Sequence, residues 1–504
     1  MTELLINGND LTFDDLRQVV YERRPVALAD TAKEKVIAAR EVVEKLVREN
    51  RVAYAINTGV GKLSDVHIEP AQNRQLQVNL IRSHSVGVGE PLGQEETRAM
   101  MLLRANSLAK GFSGVRPDVI DLLCSMLNHG VHPVVPSQGS VGASGDLAPL
   151  AHLALAMIGE GEAWYENARI KSADALARAG IKPLVPEAKE AISLINGTQA
   201  MLAVGSLSLL AAETLAETAD VLGAMTLDAL QGTDVAFDER IHAARPHAGQ
   251  SKVAANLRRL LQGSQIRESH KDCGRVQDAY SMRCIPQVHG AVLDTLEFCR
   301  RTFEIEMNSA VDNPLVFTTG HAEGDIISGG NFHGEPLAFA LDYMAIVLSA
   351  LAGISERRIE RLVNPALNEG LPPFLAPEAG INSGFMMPQV TAAALASENK
   401  VLAHPASVDS ITTSGNKEDY VSMGMASAIK LKKVVANTTY VLAIEACASA
   451  QALDFLAPLK SSEPLQQAHA AIRKVSTRIE QDRVFAEDFA RLAELVRSGA
   501  LSKL

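Results

Sequence analysis

Residues 336–363 read PLAFALDYMAIVLSALAGISERRIERLV, and this stretch decides the fold class. Pro336 suits the first turn of a helix, where a missing N–H is no loss, and Pro365 stands just past the other end. The first two thirds are apolar almost all round, which predicts a helix buried on every side, whereas Glu356 to Arg361 turns amphipathic and charged. A second long helix is expected from near Thr198, with Leu207, Ala211, Leu215, Ala219 and Leu222 along one stripe. A third is expected from about Met425 to Leu453, rich in Ala, Val and Leu. Long helices of this kind, apolar on several faces and poor in aromatics, pack closely in a bundle, and such extensive burial often includes subunit interfaces. The expectation is a mainly α protein. Residues 195–504 form an elongated helical bundle, and residues 1–194 a smaller, mostly helical N-terminal region. Leu4 to Ile6, Ala163 to Ile170 and Leu315 to Thr318 are expected to make only small ribbons.

The 504 residues fit two to four domains or one large helical body, and 47% hydrophobic content builds a sizeable core. With a net charge of −11 the chain offers no broad basic face, so nucleic acid and anionic membrane surfaces are poor partners. A small zwitterion is not excluded. The five cysteines (Cys124, Cys273, Cys284, Cys299, Cys447) form no CxxC pair and point to neither a disulfide framework nor a metal site. Met1 to Gly8 lacks the charged and apolar blocks of a signal peptide, and the apolar stretch 191–212 contains Asn196, Thr198 and Gln199, which a membrane would penalise. A cytoplasmic protein without a membrane partner is expected.

Two motifs fail on inspection. Gly59-Val60-Gly61-Lys62-Leu63 resembles a phosphate loop, but Ile56 stands where Gly is needed and Leu63 where a hydroxyl would meet magnesium. Gly142-Ala143-Ser144-Gly145 lacks the second glycine spacing of a nucleophile elbow. The informative stretch is Gly139-Ser140-Val141-Gly142-Ala143-Ser144-Gly145-Asp146-Leu147-Ala148-Pro149-Leu150. Its plain reading is a Gly/Ser loop before a helix starting at Asp146 or Pro149. Its chemical reading is sharper. If packing forces Ala143-Ser144-Gly145 into a tight bend, the Gly145 nitrogen can attack the Ala143 carbonyl carbon. Loss of two waters then closes a five-membered ring and makes Ser144 a methylidene electrophile.

The same stretch resembles the signature of the histidine/phenylalanine ammonia-lyase family. Tyr54-Ala55-Ile56-Asn57-Thr58-Gly59, Asn196-Gly197-Thr198-Gln199, Gln277 to Cys284, Asp312-Asn313-Pro314, Gly329 to His333 and Ser397 to Lys400 carry the resemblance along nearly the whole chain. It implies a mostly helical homotetramer whose active sites are shared between subunits. It also implies that Ala143, Ser144 and Gly145 become a methylidene-imidazolone (MIO) group without external cofactor or metal. Eliminating ammonia from an α-amino acid removes a β-proton that no carbonyl acidifies, and side chains alone lack the electrophile that would help.

By resemblance, Tyr54 is the lid tyrosine that acts as base or proton relay, and Arg283 grips the substrate carboxylate. Asn196 and Tyr280 resemble residues that hydrogen-bond the prosthetic ring, Phe332 packs beside it, and Gln277 and Asn313 line the site. Read alone, Asn196 would pass for a cap of the helix starting near Thr198, and Arg283 for half of an ion pair. Substrate choice falls to His84, in a Ser83-His84 pair like that of the family's histidine enzymes, and to Glu418. The implied substrate is L-histidine and the product trans-urocanate. A phenylalanine or tyrosine lyase, a 2,3-aminomutase and a non-catalytic helical scaffold remain open. Four residues depart from the histidine pattern: Ala55 after the lid tyrosine, Gly415, Lys417 beside Glu418, and Tyr420.

Overall fold

The computed structural model describes residues 2–53, 56–59, 61–63, 65–271, 273–318 and 324–504. Helices dominate, and the strands among the described residues form four small sheets. The decisive helix runs Glu335–Val363, with Pro336 in its first turn and Pro365 beyond its end. Gln199–Ala229 begins one residue after Thr198, and Gly424–Asp454 covers the third expected helix. Gln199–Ala229 and Glu335–Val363 are long and apolar enough to cross a membrane. Yet 78% and 61% of their most apolar windows are buried inside the fold, as in core helices.

The chain forms two compact units. The first comprises Met1–Leu207, Arg300–Leu341 and Pro405–Ile429; the second comprises Ser208–Cys299, Asp342–His404 and Lys430–Leu504. All four sheets lie in the first unit. Leu4–Ile6 pairs parallel with Val26–Leu28, and Leu315–Phe317 pairs antiparallel with Asp325–Ile327. The expected ribbon around 163–170 is a hairpin of Glu162–Tyr165 and Ala168–Lys171. Its two turn residues, Glu166 and Asn167, have φ of 49° and 63°, the sign that a two-residue turn needs to follow the strands' twist. The helix Gln94–Ala109 is buried along nearly its whole length and carries the wholly buried Arg104.

The second unit is tied together by buried charge. Arg358 and Glu445 are both 0% exposed, with Nη2 donating to Oε2 at 2.9 Å. Ser355 Oγ donates to the same oxygen at 2.5 Å, and Thr226 Oγ1 donates to Oε1 at 3.0 Å. The buried pair His289–Asp220 lies alongside, 2.7 Å apart, and burial lowers the imidazole pKa against the pull of Asp220. Residues of four helices thus share one satisfied network, the condition under which buried ions are tolerated.

Candidate active site

The 139–145 loop is fixed by its neighbours in the first unit. Gly142 and Gly145 both sit at φ +70°, where a side chain is strained. Space forbids one as well: a Cβ on Gly145 would lie 2.1 Å from Gly197 O, and one on Gly142 would lie 2.1 Å from Ser422 Oγ. Gly145 bridges to Gly197, and the next residue's N–H, on Asp146, donates to Gly197 O at 2.6 Å. The Asp146 carboxylate accepts from Met201 N at 2.8 Å and from Ser140 Oγ at 3.0 Å. It therefore serves the open N-terminus of the Gln199–Ala229 helix while anchoring the loop. Burial raises its pKa to about 6 against those hydrogen bonds.

Asn196 does not cap that helix. Its Nδ2 donates to Ser144 O at 2.8 Å, and its buried Oδ1 has no partner among the described residues. Arg104 Nη1 holds the Asn196 carbonyl at 2.9 Å and Gln199 Oε1 at 2.6 Å, and burial lowers the guanidinium pKa to about 10. An arginine on one helix thereby sets the backbone from which Asn196 reaches the loop.

Beside the loop opens a cavity of about 460 Å³, within the range of small-molecule sites. Six of the expected residues line it: His84, Ser144, Asn196, Asn313, Phe332 and Glu418. Leu147 and Ile192 add apolar wall, and Gly61, Ser414 and Lys417 complete the lining. Ala143 and Gly145 flank Ser144 in the loop, both buried. Glu418 spans two hydroxyls: Ser144 Oγ donates to Oε1 and Thr413 Oγ1 donates to Oε2, each at 2.7 Å. Asn313 Oδ1 accepts from Gly329 N at 2.8 Å.

His84 ends the Asn73–His84 helix. Its Nδ1 lies 2.8 Å from Leu80 O, and a carbonyl can only accept, so Nδ1 carries the hydrogen and Nε2 presents a lone pair. Burial lowers its pKa, outweighing the Leu80 hydrogen bond and the charge of Glu418, and so favours the neutral ring.

Three expected residues, Gln277, Tyr280 and Arg283, are not among those lining the cavity. Tyr54 is outside the described residues, as is Ala55. Tyr280, Arg283 and Gln277 belong to the second unit and cluster there. The Arg283 guanidinium lies 4.5 Å over the Tyr280 ring and hydrogen-bonds to Gln277 Oε1, and Tyr280 is 70% exposed. Sequence reasoning did not single out Thr413, Arg104 or the double duty of Asp146. The last had a signal, an acidic residue beside the loop, but nothing local says which helix it serves. Among the described residues no three His, Cys, Asp or Glu side chains gather as a metal site requires.

A family model described as aromatic amino acid lyase matches residues 11–474. The chain belongs to that family. This aromatic amino acid lyase is 69% identical over 511 residues to the histidine ammonia-lyase of Koribacter versatilis, spanning 100% of this chain and 99% of the relative. It is 52% identical to the histidine ammonia-lyase of Anaeromyxobacter sp., spanning 99% and 100%. Among solved structures, histidine ammonia-lyase from Trypanosoma cruzi aligns with a TM-score of 0.92 at 44% identity, covering 100% of this lyase and 94% of that chain. Tyrosine aminomutase from Streptomyces globisporus aligns with a TM-score of 0.94 at 37% identity, covering 100% and 98%. The mainly α architecture expected from the sequence is therefore the fold of this lyase family.

Proposed function

We propose that this lyase is a histidine ammonia-lyase, which eliminates ammonia from L-histidine to give trans-urocanate. One observation carries the reading: Glu418 sits 2.7 Å from Ser144 Oγ in a cavity that also holds His84 with its Nε2 lone pair open. The Glu418 carboxyl oxygens and the bare His84 Nε2 are both acceptors for a ring N–H, and neither suits an apolar phenyl ring.

The residues fit the MIO group. Gly142 and Gly145 permit the tight bend and leave no space for another residue type, and Asn196 Nδ2 already donates to Ser144 O. When formed, MIO supplies an electrophilic carbon at the position of Ser144 Cβ. Asn196 then stabilises negative charge on Ser144 O, in the manner of an oxyanion donor. Dehydration expels Ser144 Oγ and frees Glu418 Oε1 for the substrate ring, while Thr413 continues to hold Oε2. Phe332 and the apolar wall keep water from the ring, and Asn313 lines the polar side. Tyr54 moves the β-proton; a phenol with a pKa near 10 needs a site that favours its ionised form. A neighbouring protomer of a homotetramer supplies Arg283 for the substrate carboxylate, with Tyr280 and Gln277. The exposed Tyr280 ring under the half-buried Arg283 guanidinium in the second unit supports that assignment.

The test is turnover of L-histidine, L-phenylalanine and L-tyrosine by purified protein, followed by the absorbance of the conjugated acid and by assay for β-amino acids. Urocanate as the main product is expected; a β-amino acid would identify an aminomutase. Intact mass should fall short of the sequence mass by two waters. Gly145→Ala should leave both waters in place and no activity, because its Cβ meets Gly197 O. His84→Leu should lower kcat/KM for histidine by about tenfold or more, since one ring hydrogen bond is worth about 1–3 kcal/mol, and should raise relative activity toward phenylalanine. An unchanged preference would remove His84 from the ring site.

A further inference from the structure

One residue at the rim of this cavity, the exposed Lys417, is not used by the reading above. Lys417 lines it together with Glu418 and His84. Glu418 accepts from Ser144 Oγ and Thr413 Oγ1, and no ion pair joins it to the Lys417 ammonium among the described residues. No partner for it is found among the described residues. The other lining residues carry no charge. The nearby charged groups are Asp419, next in sequence, and Lys62, whose stem would meet a Cβ on Gly415 at 3.4 Å.

A neutral imidazole has one N–H and one bare nitrogen. Glu418 and His84 are both acceptors and can serve only the N–H. By themselves they would favour a doubly protonated, cationic ring. Lysine is the opposite kind of partner, with three donors and no acceptor. We infer that Lys417 is a specificity-determining residue that donates to the bare ring nitrogen of the bound substrate and makes the cavity select neutral imidazole over imidazolium. This rests on the histidine reading proposed above. The sign follows from charge: protonating that nitrogen removes the acceptor and sets two cations against each other, so binding weakens as pH falls through the ring's ordinary pKa near 6.5.

The experiment measures KM for L-histidine from pH 5.5 to 8 in wild type, Lys417→Met and Lys417→Arg, and inhibition by imidazole and L-phenylalanine. In wild type, KM should rise up to tenfold per pH unit on the acid side. In Lys417→Met, KM at pH 8 should rise about tenfold, the value of one hydrogen bond from a charged donor, and the acid rise should flatten. Lys417→Arg keeps a charged donor and should restore the wild-type profile. Imidazole should bind more weakly to Lys417→Met, with phenylalanine unaffected. If wild type turns over histidine but Lys417→Met stays within twofold of it at every pH, the inference is overturned. A parallel loss of phenylalanine binding would overturn it too, because Lys417 would then be holding the carboxylate. A wild type inactive on histidine would defeat the functional reading itself.

Discussion

Ser144→Ala is expected to abolish turnover of L-histidine, by more than about a thousandfold in kcat, the upper end of what losing one charge-stabilising donor costs. The argument is compositional before it is geometric. A methylidene needs a hydroxyl to eliminate from the side chain, and alanine has none. Everything else about the loop is preserved: Gly142 and Gly145 keep their positive φ, Asp146 keeps its bond to Met201 N, and Asn196 keeps Ser144 O, a backbone atom. Folding should therefore be unaffected. The variant's mass should show no lost water from the serine side chain, and its circular dichroism should match wild type. The change also vacates Glu418 Oε1, so histidine should still bind, measurable by calorimetry. Near-normal turnover by this variant would end the case for a built-in electrophile.

Glu445→Ala should be the most damaging single change to stability, costing about 3–5 kcal/mol. It would leave the Arg358 guanidinium, 0% exposed, with its charge unpaired, and would take the acceptor from Ser355 and Thr226 at the same time. The pair itself is not worth that much. Two charges removed from water lose about as much hydration as they regain by attraction, so Arg358→Met with Glu445→Met should recover most of the loss. Denaturant midpoints at one fixed protein concentration would show this, since the midpoint of an oligomer moves with concentration. If Glu445→Ala unfolds within about 1 kcal/mol of wild type, water reaches Arg358 and the network is not dry.

The long helices were legible because their signals are local. Pro336 and Pro365 bracket one, and the apolar run after Thr198 marks another; both boundaries fell within a residue or so of the observed helices. The hairpin at 162–171 was legible only as a ribbon, because Glu166 and Asn167 do not announce positive φ as Gly would. Half of the candidate lining residues converge on one cavity, yet the residues that position them did not show in the sequence. Thr413 holds Glu418 through a turn whose shape depends on Ser414 and Asn416, both at positive φ. Arg104 acts on Asn196 from a position 92 residues away. Asn196 read without the family resemblance would mislead for a similar reason: its place before a helix matches the capping rule, but the loop at Ser144 comes close enough to claim its amide. In the stretch with a phosphate-loop look, Gly61–Leu63 is a short turn in which Gly61 faces Ser414.

The bridge between Gly145 and Gly197 has a consequence for biosynthesis. The reactive tripeptide is clamped by residues that come some fifty positions later in the chain, at the start of a 31-residue helix. A nascent polypeptide emerging from the ribosome lacks the residues that hold the bend, so on the proposed chemistry it would form no electrophile there. On the cyclisation proposed above, ripening waits for the helix, and only a correctly assembled molecule would arm itself.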